Sequence, residues 1–177
     1  MEYHKIQTIF KRDQKGKILE GEFTKDAFHL LANNIVWQGE EKIDGTNIRV
    51  IWDGENVTFG GRTDRAQTPQ FLLDRLTELF PKEKFKAAEL PPMTLYGEGY
   101  GAKIQKGGGN YIPDGQSFIL FDVFCGGLWL RRADVYGIGN QLEIDTAPMI
   151  FTGTLLQAVA KVRNGFDSCW DRDWETE

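Results

Sequence analysis

Residues 46–62, TNIRVIWDGENVTFGGR, decide the fold. Ile48, Val50 and Trp52 alternate along one face, Asp53-Gly54 interrupts them, and Val57 and Phe59 resume, which predicts a β-hairpin closed by a two-residue turn. Just ahead of it runs GEEKIDG, residues 39–45, where Lys42 stands two residues before an Asp-Gly pair. A charged pair before such a turn is an ordinary surface feature. A free lysine titrates near ~10.4, so only about one in 2,500 is the neutral, nucleophilic amine at pH 7. Chemistry at a lysine therefore needs burial or neighbouring cations to disfavour the ammonium, and a carboxylate such as Asp44 acts in the opposite direction. On this segment alone both readings stand.

Outward from the hairpin the elements alternate in type. TKDAFHLLANNI (24–35) predicts a short helix with Thr24 as N-cap and Phe28, Leu31, Ala32 and Ile35 on one face. TPQFLLDRLTELF (68–80) carries Phe71, Leu72, Leu76, Leu79 and Phe80 at helical spacing and stops before Pro81. MTLYGEGYG (93–101) and SFILFDVFCGGLWL (117–130) read as strands, the second turning at Gly126-Gly127. The last third predicts a helix weakened by Gly137 and Gly139, a short strand at APMIF (147–151) and a final helix in TGTLLQAVAKVRNGF (152–166). The expected class is α+β, mainly antiparallel sheet with flanking helices, in a single domain over residues 1–177.

Composition narrows the function classes. At 177 residues with 41% hydrophobic content the chain can fill a core. A net charge of −5 argues against holding nucleic acid by bulk electrostatics, so any such contact must be local. Cys125 and Cys169 lack zinc-ligand spacing, and His4 and His29 lack the company of a metal pair, so structural roles are expected for both histidines. No apolar leader and no run approaching ~18 apolar residues is present, so a soluble, cytoplasmic protein with no membrane partner is expected.

Three further elements follow EKIDGTN (41–47) in order: FGGRT (59–63), LYGEGYG (95–101) and FILFDVF (118–124). Each alone is common; their order, each on a predicted strand or its edge, carries information. Residues 39–124 resemble the RNA ligases of the covalent nucleotidyltransferase superfamily, which also holds DNA ligases and mRNA capping enzymes.

The resemblance implies a nucleotidyltransferase, or adenylation, domain that uses ATP and Mg²⁺ and acts on RNA ends or nicked RNA duplexes. It makes Lys42 the nucleophile, with Asp44 beside it in the motif. It implies nucleotide-binding roles for Glu41, Ile43 and Asn47, places Arg62 near the nucleotide, gives Glu98 the ribose hydroxyls and gives Phe121 the adenine face. The family's later elements, a Glu-Gly strand that helps hold metal and a Lys-x-Lys strand, are not found before the chain stops at DRDWETE (171–177). Glu177 would be the first residue of the Glu-Gly element and hence a metal ligand, and a triphosphate site without the two lysines would lose several kcal/mol of stabilisation. GAKIQKGGGN (101–110) has phosphate-loop composition without the spacing. It is expected to be a flexible loop; contact of Lys103 and Lys106, with Tyr100 and Tyr111, with an RNA strand is the less favoured reading. The alternatives are another enzyme of the superfamily, a DNA ligase or GTP-using capping enzyme, or a catalytically incomplete nucleotide- or RNA-binding module.

Overall fold

The structure, a computed structural model, describes residues 1–170. Along the chain run β1 (Phe10–Arg12), β2 (Ile18–Phe23), α1 (Asp26–Leu31), β3 (Trp37–Glu40), β4 (Thr46–Trp52), β5 (Val57–Gly61), α2 (Gln70–Leu79) and α3 (Lys82–Ala87). They are followed by β6 (Met93–Gly101), α4 (Gly108–Tyr111), β7 (Gln116–Cys125), β8 (Leu128–Trp129), α5 (Arg132–Leu142), β9 (Asp145–Thr146), β10 (Met149–Gly153) and α6 (Leu155–Asn164). They form two compact units, a larger one of residues 1–3, 42–147 and 168–170 and a smaller one of residues 4–41 and 148–167. The α+β class with mainly antiparallel sheet is as expected.

The larger unit is built on a sheet ordered β5-β4-β6-β7-β8, with β9 added in parallel to β7. Alternation in the sequence becomes two faces. Ile48, Val50, Trp52, Leu95, Phe118, Leu120 and Val123 form a core with Leu72 and Leu76 of α2, Phe80, Phe85 of α3, and Val135 and Leu142 of α5. Each such large apolar side chain contributes roughly 1.5–3 kcal/mol by leaving water. Gly97 is required by this packing: a Cβ there would lie 2.1 Å from the Phe118 ring and 2.4 Å from the Ile119 carbonyl oxygen.

One expectation about the turns needs correction in detail. The β4–β5 connection is four residues, not two, because Trp52 pairs with Val57 and the Asp53 carboxylate accepts the N–H groups of Glu55 and Asn56, each within 2.8 Å. Those two donors, Asn56 foremost, hold the Asp53 carboxyl below its usual range. The β7–β8 turn at Gly126-Gly127 is as expected, with both glycines at positive φ. Helix α5 forms in spite of its glycines; a Cβ at Gly139 would press to 2.5 Å from the Thr146 side chain, so the small residue permits close packing on β9.

In the smaller unit β1 and β2 form an antiparallel hairpin, a feature the sequence reading did not include. Thr24 does not cap α1, whose N-cap is Lys25 without a side-chain hydrogen bond; its hydroxyl donates to the carbonyls of Thr8 and Ile9 instead. Ala32 is buried but Ile35 is exposed, so the expected apolar face of α1 ends at Ala32. β3 pairs with β10, and α6 starts in a capping box in which Thr154 and Gln157 exchange hydrogen bonds. A cavity of about 390 Å³ lies among Phe10, Phe23, His29, Ala32, Leu156 and Ala160. No helix among the described residues is long and apolar enough to cross a membrane.

Candidate active site

The segment leading into β4 is anchored by its odd-numbered residues. Ile43 is buried against Tyr100 and Ile119, with Tyr111, Ile112 and Trp170 around them, while Lys42 and Asp44 are exposed. An apolar anchor between two charged residues turns both of them away from the packed cluster. The backbone is held at two points: the Asp44 N–H donates to the Tyr111 hydroxyl (3.2 Å) and Gln105 Nε2 donates to the Gly45 carbonyl (2.8 Å). Gly45 admits no side chain, since a Cβ would stand 2.2 Å from the Gly99 carbonyl oxygen and 2.9 Å from Glu98 Cγ.

Glu98 receives this segment. On β6 it lies opposite Asn47 of β4, and the Gly45 N–H donates to its carboxylate. Burial pushes its pKa up to about 7; the Lys42 ammonium and the Gly45 N–H pull it down, and the Asp44 carboxylate adds to the rise. Lys42, Asp44 and Glu98 thus share one electrostatic site. Next to it, Asn47 Oδ1 is buried with no hydrogen-bond partner among the described residues, an acceptor whose desolvation goes uncompensated at about 1–3 kcal/mol.

At one side of the sheet stands Arg62, exposed and one residue beyond β5. Its neighbours are fixed by Arg49, which is only 4% exposed, donates from Nε to the Gly61 carbonyl and from Nη2 to the Asp64 carboxylate, both at 2.7 Å. The Asp64 N–H in turn donates to the Glu2 carboxylate. On the other side, β7 carries Phe121 at a bulge, because Tyr96 pairs with Asp122 and Gly97 with Leu120. The half-buried Phe121 ring meets Tyr3 edge-on at 5.2 Å, and the Tyr3 hydroxyl donates to the Asp122 carboxylate. Tyr96, 5.1 Å from Tyr3 between ring centres, donates from its hydroxyl to the Met1 carbonyl.

The strands associated with Arg62, Lys42 and Asn47, Glu98, and Phe121 are therefore consecutive neighbours in the sheet, β5-β4-β6-β7. Lys42, Asp44, Asn47 and Glu98 come together directly; Arg62 and Phe121 are carried by the flanking strands. Ile43 points into the apolar cluster, so it offers a ligand only its backbone. Glu41 is buried, and its N–H donates to the Pro148 carbonyl (3.0 Å). Glu177 lies outside the described residues. Tyr100 is buried and Tyr111 is half-buried with its hydroxyl committed to Asp44, so these two rings are not an open stacking platform beside Lys103 and Lys106. Arg49, Gln105 and Tyr3 were not among the sequence candidates, and Tyr111 was one only as an RNA contact, not as the partner of Asp44. Only Arg49 had a signal, as a cation inside an alternating apolar strand.

Comparison with known proteins bears on this arrangement. The RNA ligase family matches residues 35–176. No curated protein matches the chain. Among solved structures, a Naegleria gruberi RNA ligase with pyrophosphate is 18% identical at a TM-score of 0.59, covering 86% of this chain and 50% of that one. A variant of the same ligase with AMP and manganese is 19% identical at 0.61, covering 76% and 43%. An apo variant is 17% identical at 0.62, covering 88% and 48%. The chain spans half or less of the length of these ligases, and at such identities they share its fold. With the family match extending over most of its residues and through all four elements of the site, the chain belongs to the RNA ligase family.

Proposed function

We propose that the chain is the adenylation part of an ATP-dependent RNA ligase, with Lys42 as the nucleophile. The observation that carries this is the convergence of Lys42, Asp44 and the Gly45 N–H on the Glu98 carboxyl group, which joins the candidate nucleophile to a candidate ribose acceptor. In this reading the neutral amine of Lys42 attacks the α-phosphorus of ATP. An N–P bond forms, the bond to pyrophosphate breaks, and the proton lost by the amine passes to solvent. The covalent lysyl-AMP divides one difficult transfer into two easier ones. An RNA 5′-phosphate oxygen then takes the AMP and the lysine regains its proton. Finally a neighbouring 3′-hydroxyl attacks the activated 5′-phosphate, releasing AMP and sealing the strand.

The residues fit a nucleotide. Glu98 and Asn47 Oδ1, which has no partner among the described residues, present acceptors for ribose hydroxyls, and Phe121 with Tyr3 beside it supplies an aromatic wall for the base. Arg62, on a loop braced by Arg49, supplies positive charge for phosphate. Among the described residues no three carboxylate, histidine or cysteine groups gather into a metal site. Mg²⁺ would offset charge on a triphosphate here, with Asp44 and Glu98 as the nearby carboxylates among the described residues. The test is strand sealing: given ATP and Mg²⁺, the protein should join a nicked RNA duplex carrying a 5′-phosphate and leave its 5′-hydroxyl counterpart unjoined. Equal use of GTP, or sealing of nicked DNA in preference to RNA, would assign it elsewhere in the superfamily.

A further inference from the structure

The β1–β2 hairpin precedes the segment matched by the family, which begins at residue 35. Its tip, KRDQKGK (11–17), holds four cations and one acid, a net charge of +3 in a chain of net −5, so all other residues together carry −8. The positive charge is segregated, and the turn that bears it is built. The Asp13 carboxylate accepts the N–H groups of Lys15 and Lys17, both at 2.8 Å, and the Gly16 N–H donates to the Asp13 carbonyl at 3.0 Å. Arg12 Nη1 donates to the Gly16 carbonyl at 2.7 Å, and Gly16 takes the positive φ of +82° that closes the turn. Asp13 is thereby turned toward the backbone, where it orders the loop.

Lys15 and Lys17 are exposed and make no ion pair among the described residues. Lys11 meets Glu22 only at 4.0 Å between side chains more than half exposed, a pairing of little strength. Below the tip the hairpin stands on packed rings, Phe10 against Phe23 at 5.2 Å. No aromatic residue occurs in the tip to stack on a base. A pre-ordered turn presenting lysines without aromatic company fits a regularly spaced polyanion read by charge alone.

We propose that this hairpin is a contact for the RNA phosphate backbone, independent of base sequence, with Lys15 and Lys17 as its principal cations. The proposal rests on the RNA-ligase reading for the identity of the polyanion. Lysines on a two-stranded edge also serve simply to keep strands from pairing with other chains, and that role leaves RNA affinity untouched.

The test uses the whole chain and its K15Q/K17Q variant, with fluorescence anisotropy of a 5′-phosphorylated single-stranded RNA across a salt series. Each lost phosphate contact lowers the slope of log affinity against log salt by about 0.7. The variant should therefore show a slope smaller by roughly 1.4 and bind roughly tenfold more weakly at ~0.1 M salt. A K15R/K17R variant should restore both. Unchanged slope and affinity, or no RNA binding by the native chain, overturns the proposal, as does a loss confined to equimolar phosphatidylserine–phosphatidylcholine vesicles. AMP labelling of both proteins is measured in parallel. Label without a change in RNA binding defeats the hairpin proposal and leaves the ligase reading standing; the reverse result defeats the ligase reading alone.

Discussion

Asn47 and Glu98 face one another across the β4–β6 ladder, one with a buried acceptor that has no donor among the described residues and the other with a carboxyl group whose pKa burial raises to about 7. Two polar groups kept in such condition cost stability, and a ligand that supplied hydrogen bonds to them would offset that cost.

Glu98 sets a pH dependence of stability. Its folded pKa of about 7 lies above the ordinary 4.5, so the folded chain holds the proton more tightly than the unfolded one. The stability linked to this group is fully present below pH ~4.5 and is lost as pH rises through about 7. Allowing for partial exposure, the loss is on the order of 2 kcal/mol. Urea denaturation at pH 5 and pH 8 should show Glu98→Gln to be more stable than the native chain at pH 8, with the advantage gone at pH 5, while AMP binding weakens. Equal stability of the two proteins at both pH values would show that burial of Glu98 is relieved in solution.

Arg49 acts through the loop that bears Arg62. Arg49→Met removes the donors to the Gly61 carbonyl and Asp64, and should cost about 2 kcal/mol in thermal or urea unfolding. It should also slow AMP transfer to the protein, as Arg62→Ala should do directly. Arg49→Lys retains the charge but not the two-directional donation, so it should recover less than half of the lost stability.

Gln105 fixes the carbonyl of Gly45, three residues beyond the candidate nucleophile. Gln105→Ala should lose about 1 kcal/mol of stability and slow lysine adenylation roughly tenfold through looser positioning. Single-turnover labelling under saturating ATP measures this, and an unchanged rate would confine Gln105 to a structural role.

Gly97→Ala should be poorly tolerated, with a loss of about 1–3 kcal/mol or more from overpacking. Its Cβ would meet both the Phe118 ring and the Ile119 carbonyl oxygen. Trimming the ring in a Gly97→Ala, Phe118→Leu double variant should consequently fail to restore the native melting temperature.

The parts legible in the sequence were those where one local rule governs. Ile48, Val50 and Trp52 alternate and bury one face, Gly126-Gly127 can adopt the φ values of a tight turn, and Leu72 and Leu76 lie on one face of a helix. The β1–β2 hairpin escaped notice because β1 has three residues and its turn is ordered by the Asp13 side chain, not by an Asn-Gly or Asp-Gly pair. Thr24 misled because its hydroxyl had carbonyl partners from across the chain. At the site, Lys42, Asp44, Asn47 and Glu98 were readable by residue type and order. Gln105, Tyr111 and Tyr3 were not, since each works through a backbone group or ring far from it in sequence.

The central claim is tested most directly by intact-protein and peptide mass spectrometry after incubation with ATP and Mg²⁺. The expected result is the added mass of one AMP, mapped to Lys42 and absent from Lys42→Ala. No adduct on the native chain, or an adduct that persists unchanged in Lys42→Ala, would contradict the assignment of Lys42 as the nucleophile.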